Sequence, residues 1–346
     1  MNYKRSHAMN RTVFVAFFSA IVVVLPYAKD TPPYGENLFL LGFPGLVTNA
    51  ASTVGGGLYD AGPYSININP ALTAPLQRVS ADLGASIMAG ESEAGFAFLA
   101  GALFPSRWGV WTGSAQGVFL EAPLSPPGNT FSGRFGWSRD VADNLYVGAS
   151  IFGGATSKYG DGFAAGLDLG FVYRLGNLFF LKDTRFSAAL TNIGKTYDND
   201  YYDNFPGFLT VKGGFAAVLF ENDNFAAGFS ADAALPTFQN ILLNFGLELG
   251  IVKMLTVSFG WDMNARELAD GLDPHGPFVG VAFKWTVSTG GSDIMKKRGW
   301  EKTDLNVSTL FQQLGSKTNL FSAGLSAEFG SIDKTPPVIN MGDAES

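Results

Sequence analysis

From Arg78 onward the sequence alternates between large apolar residues and small or polar ones. In the first such stretch Val79, Leu83 and Ile87 share one parity, while Ser80 and Asp82 share the other. A period of two places alternate side chains on opposite faces of a β-strand. The pattern recurs in about 14 segments of roughly 9–12 residues, starting near 79, 93, 108, 130, 144, 162, 184, 208, 225, 243, 254, 277, 305 and 320.

This alternation fits either a soluble β-sandwich or soluble barrel, or a barrel that spans a membrane. The large face is nearly free of charge, and the opposite face is mostly Gly, Ser and Ala. Charged residues make up only 15% of the chain, against about 25% in soluble domains. Ten residues at ~3.3 Å each and a tilt of ~40° cover about 25 Å, the height of the apolar band of membrane barrels. The sequence therefore predicts an all-β fold, a transmembrane antiparallel barrel of about 14 strands over residues 78–330.

The first residues have the features of a secretory signal peptide. Lys4, Arg5 and Arg11 precede an uncharged apolar run from Val13 to Leu25, and Ala28 supplies a small residue before Lys29. This arrangement predicts a signal peptide over residues 1–28, with an uncleaved N-terminal anchor as the alternative. Together with the predicted barrel, export indicates the outer membrane of a bacterium. We expect outer-membrane lipids and the barrel-assembly machinery as partners.

The segment between leader and strands, 29–77, does not alternate. Phe43 to Tyr59 is rich in small residues, so we expect one or two weak helices, broken at Gly55–Gly57. Asp60 to Pro63 is expected to turn, and Ser65 to Ile68 to be extended, because a residue before proline avoids the helical region.

Asn69 and Pro70 form the most specific local signal of this segment. Proline is favoured at the first position of a helix, and asparagine is favoured as its N-cap. The pair therefore predicts a short helix that starts at Pro70. On its own this is an ordinary cap and turn.

In combination with its surroundings, this signal resembles the N-terminal hatch of FadL-like outer-membrane transporters of long-chain fatty acids. The resemblance is carried by Gly57 to Ala61 and by Ile68 to Leu72, with Asp60, Asn69, Pro70 and Ala71 as the hatch motif. It implies that residues 29–77 fold inward as a helical plug in a 14-stranded barrel. Ile66-Asn67-Ile68 departs from the usual small or aromatic residues before the motif.

Charged residues on the small-residue parity are predicted to face the lumen. Their mixed signs suggest ion pairs that hold the plug against the wall. These residues are Asp82, Arg134, Asp168, Arg174, Lys212, Asp232, Glu248, Asp262, Lys284 and Glu328.

Three long connections carry much of the remaining polarity: Asp198 to Asn204, Arg266 to Pro277 and Gly290 to Asp304. Since membrane barrels have short periplasmic turns and long outer loops, we expect all three to be extracellular. A calcium site in the first and lipid-phosphate binding by the basic cluster of the third are alternatives to plain solvated loops. Residues 331–346, after Phe329, are predicted to be a flexible periplasmic tail.

Several chemistries find no support. The chain has no cysteine, its only histidines are His7 and His275, and its net charge is −7. Cysteine-based chemistry and multi-histidine metal sites are therefore excluded, and nucleic-acid binding lacks electrostatic support. No spacing pairs a nucleophile with a base, so we expect neither an enzyme nor a cofactor or metal site.

We expect a channel for passive uptake of a hydrophobic small molecule, such as a long-chain fatty acid or another lipid. Residues 43–76 would form the hatch that gates it, pivoting at Asn69-Pro70. The alternatives are a plugged barrel that scaffolds secreted or surface proteins, and a simple aqueous porin.

Overall fold

The computed structural model describes residues 52–90, 94–120, 128–158, 162–195, 209–236, 238, 240–269, 277–288, 302–314 and 318–330. Fourteen β-strands make up most of this part of the chain. They are β1 (Val79–Gly90), β2 (Ala94–Ser106), β3 (Gly109–Leu120), β4 (Gly128–Ala142), β5 (Leu145–Lys158), β6 (Gly162–Leu178), β7 (Leu181–Lys195), β8 (Thr210–Glu221), β9 (Phe225–Pro236), β10 (Leu242–Ile251), β11 (Leu255–Asn264), β12 (Pro277–Ser288), β13 (Lys302–Leu314) and β14 (Thr318–Phe329).

The strands form one closed antiparallel barrel in which each strand pairs with its neighbours in sequence. Closure is made by β1 and β14, whose register runs from Val79 opposite Phe329 to Gly90 opposite Thr318. The predicted 14-stranded barrel is therefore confirmed, and every strand starts within three residues of its predicted position. Eight strands have the predicted length of 9–12 residues, and six are longer, up to 17 residues in β6.

The outer face of the barrel is apolar. Leu83, Ile87 and Ile151 are about 60% exposed there, at 60%, 63% and 61%, whereas Ser80 and Asp82 on the opposite parity of β1 are buried. Aromatic rings cover the same outer surface, with Trp111 stacked on Phe135 at 5.8 Å between ring centroids. A soluble barrel would bury its large face, so the observed orientation is that of a barrel solvated by lipid.

A β-bulge interrupts the wall between β6 and β7. Leu167 lies opposite Ile193 and Leu169 opposite Leu190, so Asp168 faces both Thr191 and Asn192. Asn192 adopts a left-handed conformation with φ of 61°, which asparagine tolerates better than most residues. Bulges of this kind redirect a side chain, and here Asn192 is turned into the interior, where it is buried.

The alternation of strand direction fixes the rim at which each strand ends. The ends of odd-numbered strands, including Lys195 of β7 and Asn264 of β11, lie at the rim opposite the start of β1. The connection from β12 to β13 follows an even-numbered strand, so residues 289–301 join strand ends at the near rim, where β1 starts and β14 ends. With its short turns, this near rim is the periplasmic one. Most of the connection that we expected to be extracellular, residues 289–301, lies outside the described residues; the strand ends that flank it, Ser288 and Lys302, lie at the near rim.

Residues 52–77, which we call the luminal segment, lie inside the barrel and are almost entirely buried down to Thr73. Two 3-10 helices, Pro63–Asn67 and Pro70–Thr73, lie among turns. The prediction of an extended Ser65–Ile68 was wrong, because proline restricts only the residue directly before it: Asn69 alone is extended, with φ of −153°. No helix appears at 52–59, which forms turns.

The one α-helix among the described residues, α1 (Ala265–Ala269), follows β11. No helix in this part of the chain is long and apolar enough to cross a membrane. The predicted signal peptide, residues 29–51 of the predicted hatch and the tail at 331–346 lie outside the described residues.

Candidate site between the luminal segment and the barrel wall

Three wall carboxyl groups accept hydrogen bonds from the backbone of the luminal segment. Glu248 of β10 accepts from the amides of Gly57 and Leu58, at 3.1 and 3.0 Å. Asp232 of β9 accepts from the amide of Thr53 at 2.8 Å and from its hydroxyl. On the other side of the barrel, Asp82 of β1 accepts from an amide at 3.2 Å, that of Tyr64. Backbone donors that would otherwise be buried without partners are thus satisfied from the wall.

Arg185 of β7 provides the complementary contact. It donates one hydrogen bond to the carbonyl of Gly56 at 2.9 Å and another to that of Gly57 at 2.7 Å. Gly57 also approaches β9 so closely that an added Cβ would lie 2.3 Å from the carbonyl carbon of Gly228. No side chain larger than hydrogen fits there.

Tyr59 is held between two guanidinium groups. The charged groups of Arg174 and Arg185 lie 4.7 and 4.8 Å from its ring centre, within the range of cation–π attraction. Its hydroxyl donates to the carbonyl of Leu72 at 2.7 Å. Burial raises the pKa of the Tyr59 phenol above its ordinary value, so the hydroxyl keeps the proton that it donates.

A second group of contacts is centred on Arg134 of β4. Its guanidinium donates to Asp168 at 3.0 Å, to the side-chain oxygen of Asn192 at 2.8 Å and to that of Asn67 at 3.2 Å. The bulge thus completes a polar cluster that reaches the luminal segment through Asn67. The hydroxyl of Ser114 is 3.2 Å from the same Asn67 oxygen.

The predicted cap at Asn69 is confirmed. Its side-chain oxygen accepts from the amide of Ala71 at 3.0 Å. Its amide group donates to the carbonyls of Thr53 at 2.9 Å and of Phe171, in β6, at 3.3 Å. The wall makes room for this side chain with Gly170, where an added Cβ would lie 1.9 Å from the Asn69 oxygen.

An apolar cluster lies farther from the periplasmic rim. Ile68 and Tyr64 of the luminal segment pack with inward-facing side chains of β1, β2, β3, β12, β13 and β14. Phe278 is the largest of these, and its ring covers the position of a Cβ at Gly260 on β11. The lumen therefore has an apolar sector, whereas Arg134, Asp168, Lys212 and Asp232 belong to strands on the opposite side.

Six of the ten predicted lumen charges are buried inside the barrel, namely Asp82, Arg134, Asp168, Lys212, Asp232 and Glu248. Five of these six contact the luminal segment or the Arg134 cluster through hydrogen bonds. The charge of Lys212 interacts with those of Asp168 and Asp232. Asp262, Lys284 and Glu328 instead bond to other wall side chains, and Arg174 lies over Tyr59.

Arg185 and Arg78 were missed by the sequence analysis. Arg185 directly precedes the outward-facing Phe186 in β7, so the alternation of the strand could have identified it as an inward-facing charge. Arg78 precedes the first strand, so no alternation marked it. Its guanidinium contacts Asp304 at 2.5 Å and Glu328 at 2.9 Å, joining the end of the luminal segment to the last two strands.

A cavity of 320 Å³ separates the luminal segment from β13, β14 and β1 near the periplasmic rim. From the luminal segment it is lined by residues 60–64 and 75–77, and Arg78 follows directly after them. From the wall it is lined by Ser80, Asp82, Asn306, Ser308, Ser326 and Glu328.

No protein-family model matches the sequence, and no curated protein sequence matches it either. Solved structures do match the barrel. A FadL homologue of Pseudomonas aeruginosa superposes with a TM-score of 0.50 and 11% identity, over 84% of this chain and 99% of that one. The Pseudomonas putida toluene transporter TodX gives a TM-score of 0.52 and 10% identity, over 88% and 99%. A deltaS2 mutant of the TodX monoaromatic hydrocarbon channel gives 0.51 and 10%, over 82% and 99%.

The chain has the fold of a FadL-like channel. The sequence motif covers only a short part of the chain, whereas the structural similarity covers more than 80% of it. A closed barrel of this fold with an apolar outer face belongs in a bacterial outer membrane.

Proposed function

We propose that the chain is a member of the FadL-like family and takes up hydrophobic small molecules across the outer membrane, gated by the luminal segment as part of an N-terminal hatch. The observation that carries this proposal is how the segment is held. Side chains of β1, β4, β7, β9 and β10 bind its backbone or its Asn67 side chain through individual hydrogen bonds.

These contacts are compatible with a segment that moves. A plug that only filled the lumen would gain most from continuous apolar packing, whereas polar contacts can exchange for water, at a net cost of about 0.5–1.5 kcal/mol per neutral hydrogen bond and about 1.5–3 kcal/mol per bond to a charged group. The barrel can therefore keep its shape while the segment shifts. Asn69-Pro70 is the proposed pivot, because Asn69 contacts both the segment and β6.

The proposed ligand class follows from the fold and the physics of transfer. Burying an acyl chain stabilises it by about 0.8 kcal/mol per CH₂, so a long chain neither crosses a watery pore readily nor leaves a tight pocket. A hatch that opens a transient apolar path meets both requirements. The hatch motif points to long-chain fatty acids, and the name of TodX points to toluene.

Uptake by cells tests this proposal. A bacterial host that lacks its own channel would express either the intact chain or a variant with the order of residues 66–71 scrambled, and would be given labelled oleate or labelled toluene. We expect the intact chain to raise the uptake rate of at least one ligand above that of the empty host. Equal uptake by the two chains, with both barrels folded, would contradict gating; no uptake above the empty host would contradict transport.

A plugged scaffold for other envelope proteins is the second candidate. It is favoured by the strand directions, which bring Ser288, Lys302 and Gly330 to the same rim. Co-purification of a stoichiometric protein partner, lost when residues 331–346 are deleted, would support it. An apolar ligand found in the purified barrel by mass spectrometry would favour transport instead.

A further inference from the structure

Among the described residues, the hydrogen bonds of the luminal segment to the wall go to strands between β1 and β10. Its hydrogen bonds reach β1, β3, β4, β6, β7, β9 and β10. The last two strands, β13 and β14, are instead bound by Arg78, which lies just beyond the segment. The 320 Å³ cavity, which we call the vestibule, lies where the segment stands away from these two strands.

Small polar residues form the wall of the vestibule. The strand registers place Asn306 opposite Ser326 and Ser326 opposite Asp82, so these three form one row across β13, β14 and β1. The next row toward the rim is Asp304, Glu328 and Ser80. Short side chains leave the space open, which is about twice the ~150 Å³ of a cavity that holds benzene.

The charge of the vestibule is negative on balance. Asp60, Asp82 and Glu328 line it, with Asp304 next to them. The facing cations are Arg78, which is bound by Asp304 and Glu328, and Lys284, which is 3.3 Å from Glu328. Even without Asp82, the deepest of the four carboxyl groups, acidic groups outnumber basic ones.

One hydrogen-bond acceptor in the lining is unused. The side-chain oxygen of Asn306 is enclosed and has no hydrogen-bond partner among the described residues; the same holds for the Nε of Arg78, but the rest of that guanidinium is already bound to Asp304 and Glu328. Because acceptors in the lining (the Asn306 oxygen and the carboxyl groups) outnumber this one donor, the lining favours a ligand that donates hydrogen bonds. A carboxylate anion offers no donor and would be repelled by the lining.

From these observations we propose that ligands leave the lumen through the vestibule, and that the vestibule passes compact ligands with a neutral or cationic hydrogen-bond-donating head, such as alkylphenols, while excluding carboxylate anions. This rests on the proposed uptake function and narrows its ligand class. The ligand's hydroxyl donates to Asn306 or to a carboxyl group, while its apolar body lies against Tyr64 and Pro63 of the luminal segment.

The chain has no cysteine, so a single introduced thiol reports on the vestibule. In the detergent-solubilised full chain, Ser326→Cys would be modified by a cationic or an anionic methanethiosulfonate reagent. Asn177→Cys, at an exposed position near the same rim, is the matched control. We expect the cation-to-anion rate ratio to be at least tenfold higher at Ser326→Cys, and Glu328→Gln or Asp82→Asn to lower it toward the control. Equal ratios, or no modification of Ser326→Cys by either reagent, would overturn the inference.

Protection of the same thiol tests the ligand class. We expect 4-butylphenol to slow modification of Ser326→Cys at least threefold, and the same concentration of 4-butylbenzoate to leave the rate unchanged. Equal protection by both would overturn the proposed selectivity. This result is separate from the uptake experiment: loss of all uptake would contradict transport without changing the charge ratio, and equal charge ratios would leave transport standing.

Discussion

The guanidinium of Arg134 lies 3.0 Å from a carboxyl oxygen of Asp168, and the two side chains are 1% and 0% exposed. They belong to β4 and β6, and Ser150 of the intervening β5 donates to the same carboxyl oxygen at 2.9 Å. The amide of Asn192 donates to the other oxygen at 2.6 Å. The buried ion pair thus connects β4, β5, β6 and β7, and Arg134 also links it to the luminal segment through Asn67.

Removing the cation from this pair should destabilise the barrel strongly. Arg134→Met leaves Asp168 enclosed without its counter-ion, which costs about 3–5 kcal/mol when a buried pair is broken. The measurement is the free energy of unfolding in detergent, followed by the change in electrophoretic mobility on heating. Arg134→Met with Asp168→Leu should recover part of the loss, because no unpaired charge remains. A double variant less stable than Arg134→Met would contradict this account of the pair.

Glu248 is predicted to protect the backbone amides of Gly57 and Leu58 from hydrogen exchange. Glu248→Ala removes the acceptor of the Gly57 and Leu58 amides, and hydrogen bonds to a carboxyl group contribute about 1.5–3 kcal/mol each. Hydrogen exchange at residues 57–58 should therefore speed up by about 10–100-fold. Gln312→Ala, whose side chain bonds to Asp262 of the wall, is the control and should leave that exchange unchanged. Unchanged exchange in Glu248→Ala would show that the bonds do not hold the segment.

Gly170 and Gly153 form a matched pair of substitutions. At Gly170 an added Cβ would lie 1.9 Å from the Asn69 oxygen, whereas at Gly153 the nearest atom would be 4.0 Å away. Gly170→Ala should displace Asn69 and increase proteolysis or exchange of residues 66–73. Gly153→Ala should have no such effect. Equal behaviour of the two variants would place Asn69 away from β6.

Both the oxygen and the nitrogen of the Asn69 side-chain amide should be needed to hold residues 69–73 in place. Asn69→Ala loses the cap, worth about 1 kcal/mol, and the two donated bonds to Thr53 and Phe171. Asn69→Asp keeps the cap acceptor but sets a carboxyl oxygen against those two carbonyls. We therefore expect Asn69→Asp to loosen residues 69–73 at least as much as Asn69→Ala, measured by hydrogen exchange. If residues 69–73 exchanged as slowly in Asn69→Asp as in the unmodified chain, only the cap would be needed to hold them.

Much of the wall was predictable because each strand carries its own periodic signal. Leu83 and Asp82 were assigned to opposite faces from parity alone, and the structure places them there. The Asn69 cap was also readable, since it depends on neighbours within two residues.

Contacts between distant residues were not predictable. Asn192 at the bulge bonds to Asp168 and Arg134, which are 24 and 58 residues away in sequence. No local sequence pattern predicts this bulge. The rim at which Ser288 and Lys302 lie follows from counting strands, whereas the loop length between them favoured the opposite rim. The 3-10 helix at Pro63–Asn67 was missed because the extending effect of Pro70 reaches only one residue back.

Locking the luminal segment to the wall tests the central claim most directly. The hydroxyl oxygens of Thr73 and Ser138, in β4, are 2.8 Å apart, and the chain has no other thiol to interfere. In a chain carrying Thr73→Cys and Ser138→Cys, oxidation should reduce uptake of the labelled hydrophobic ligand to that of the empty host, and reduction should restore it. Each single variant should be insensitive to both treatments. Equal uptake by the oxidised and reduced double variant, with the disulfide verified by mass spectrometry, would contradict a hatch that moves.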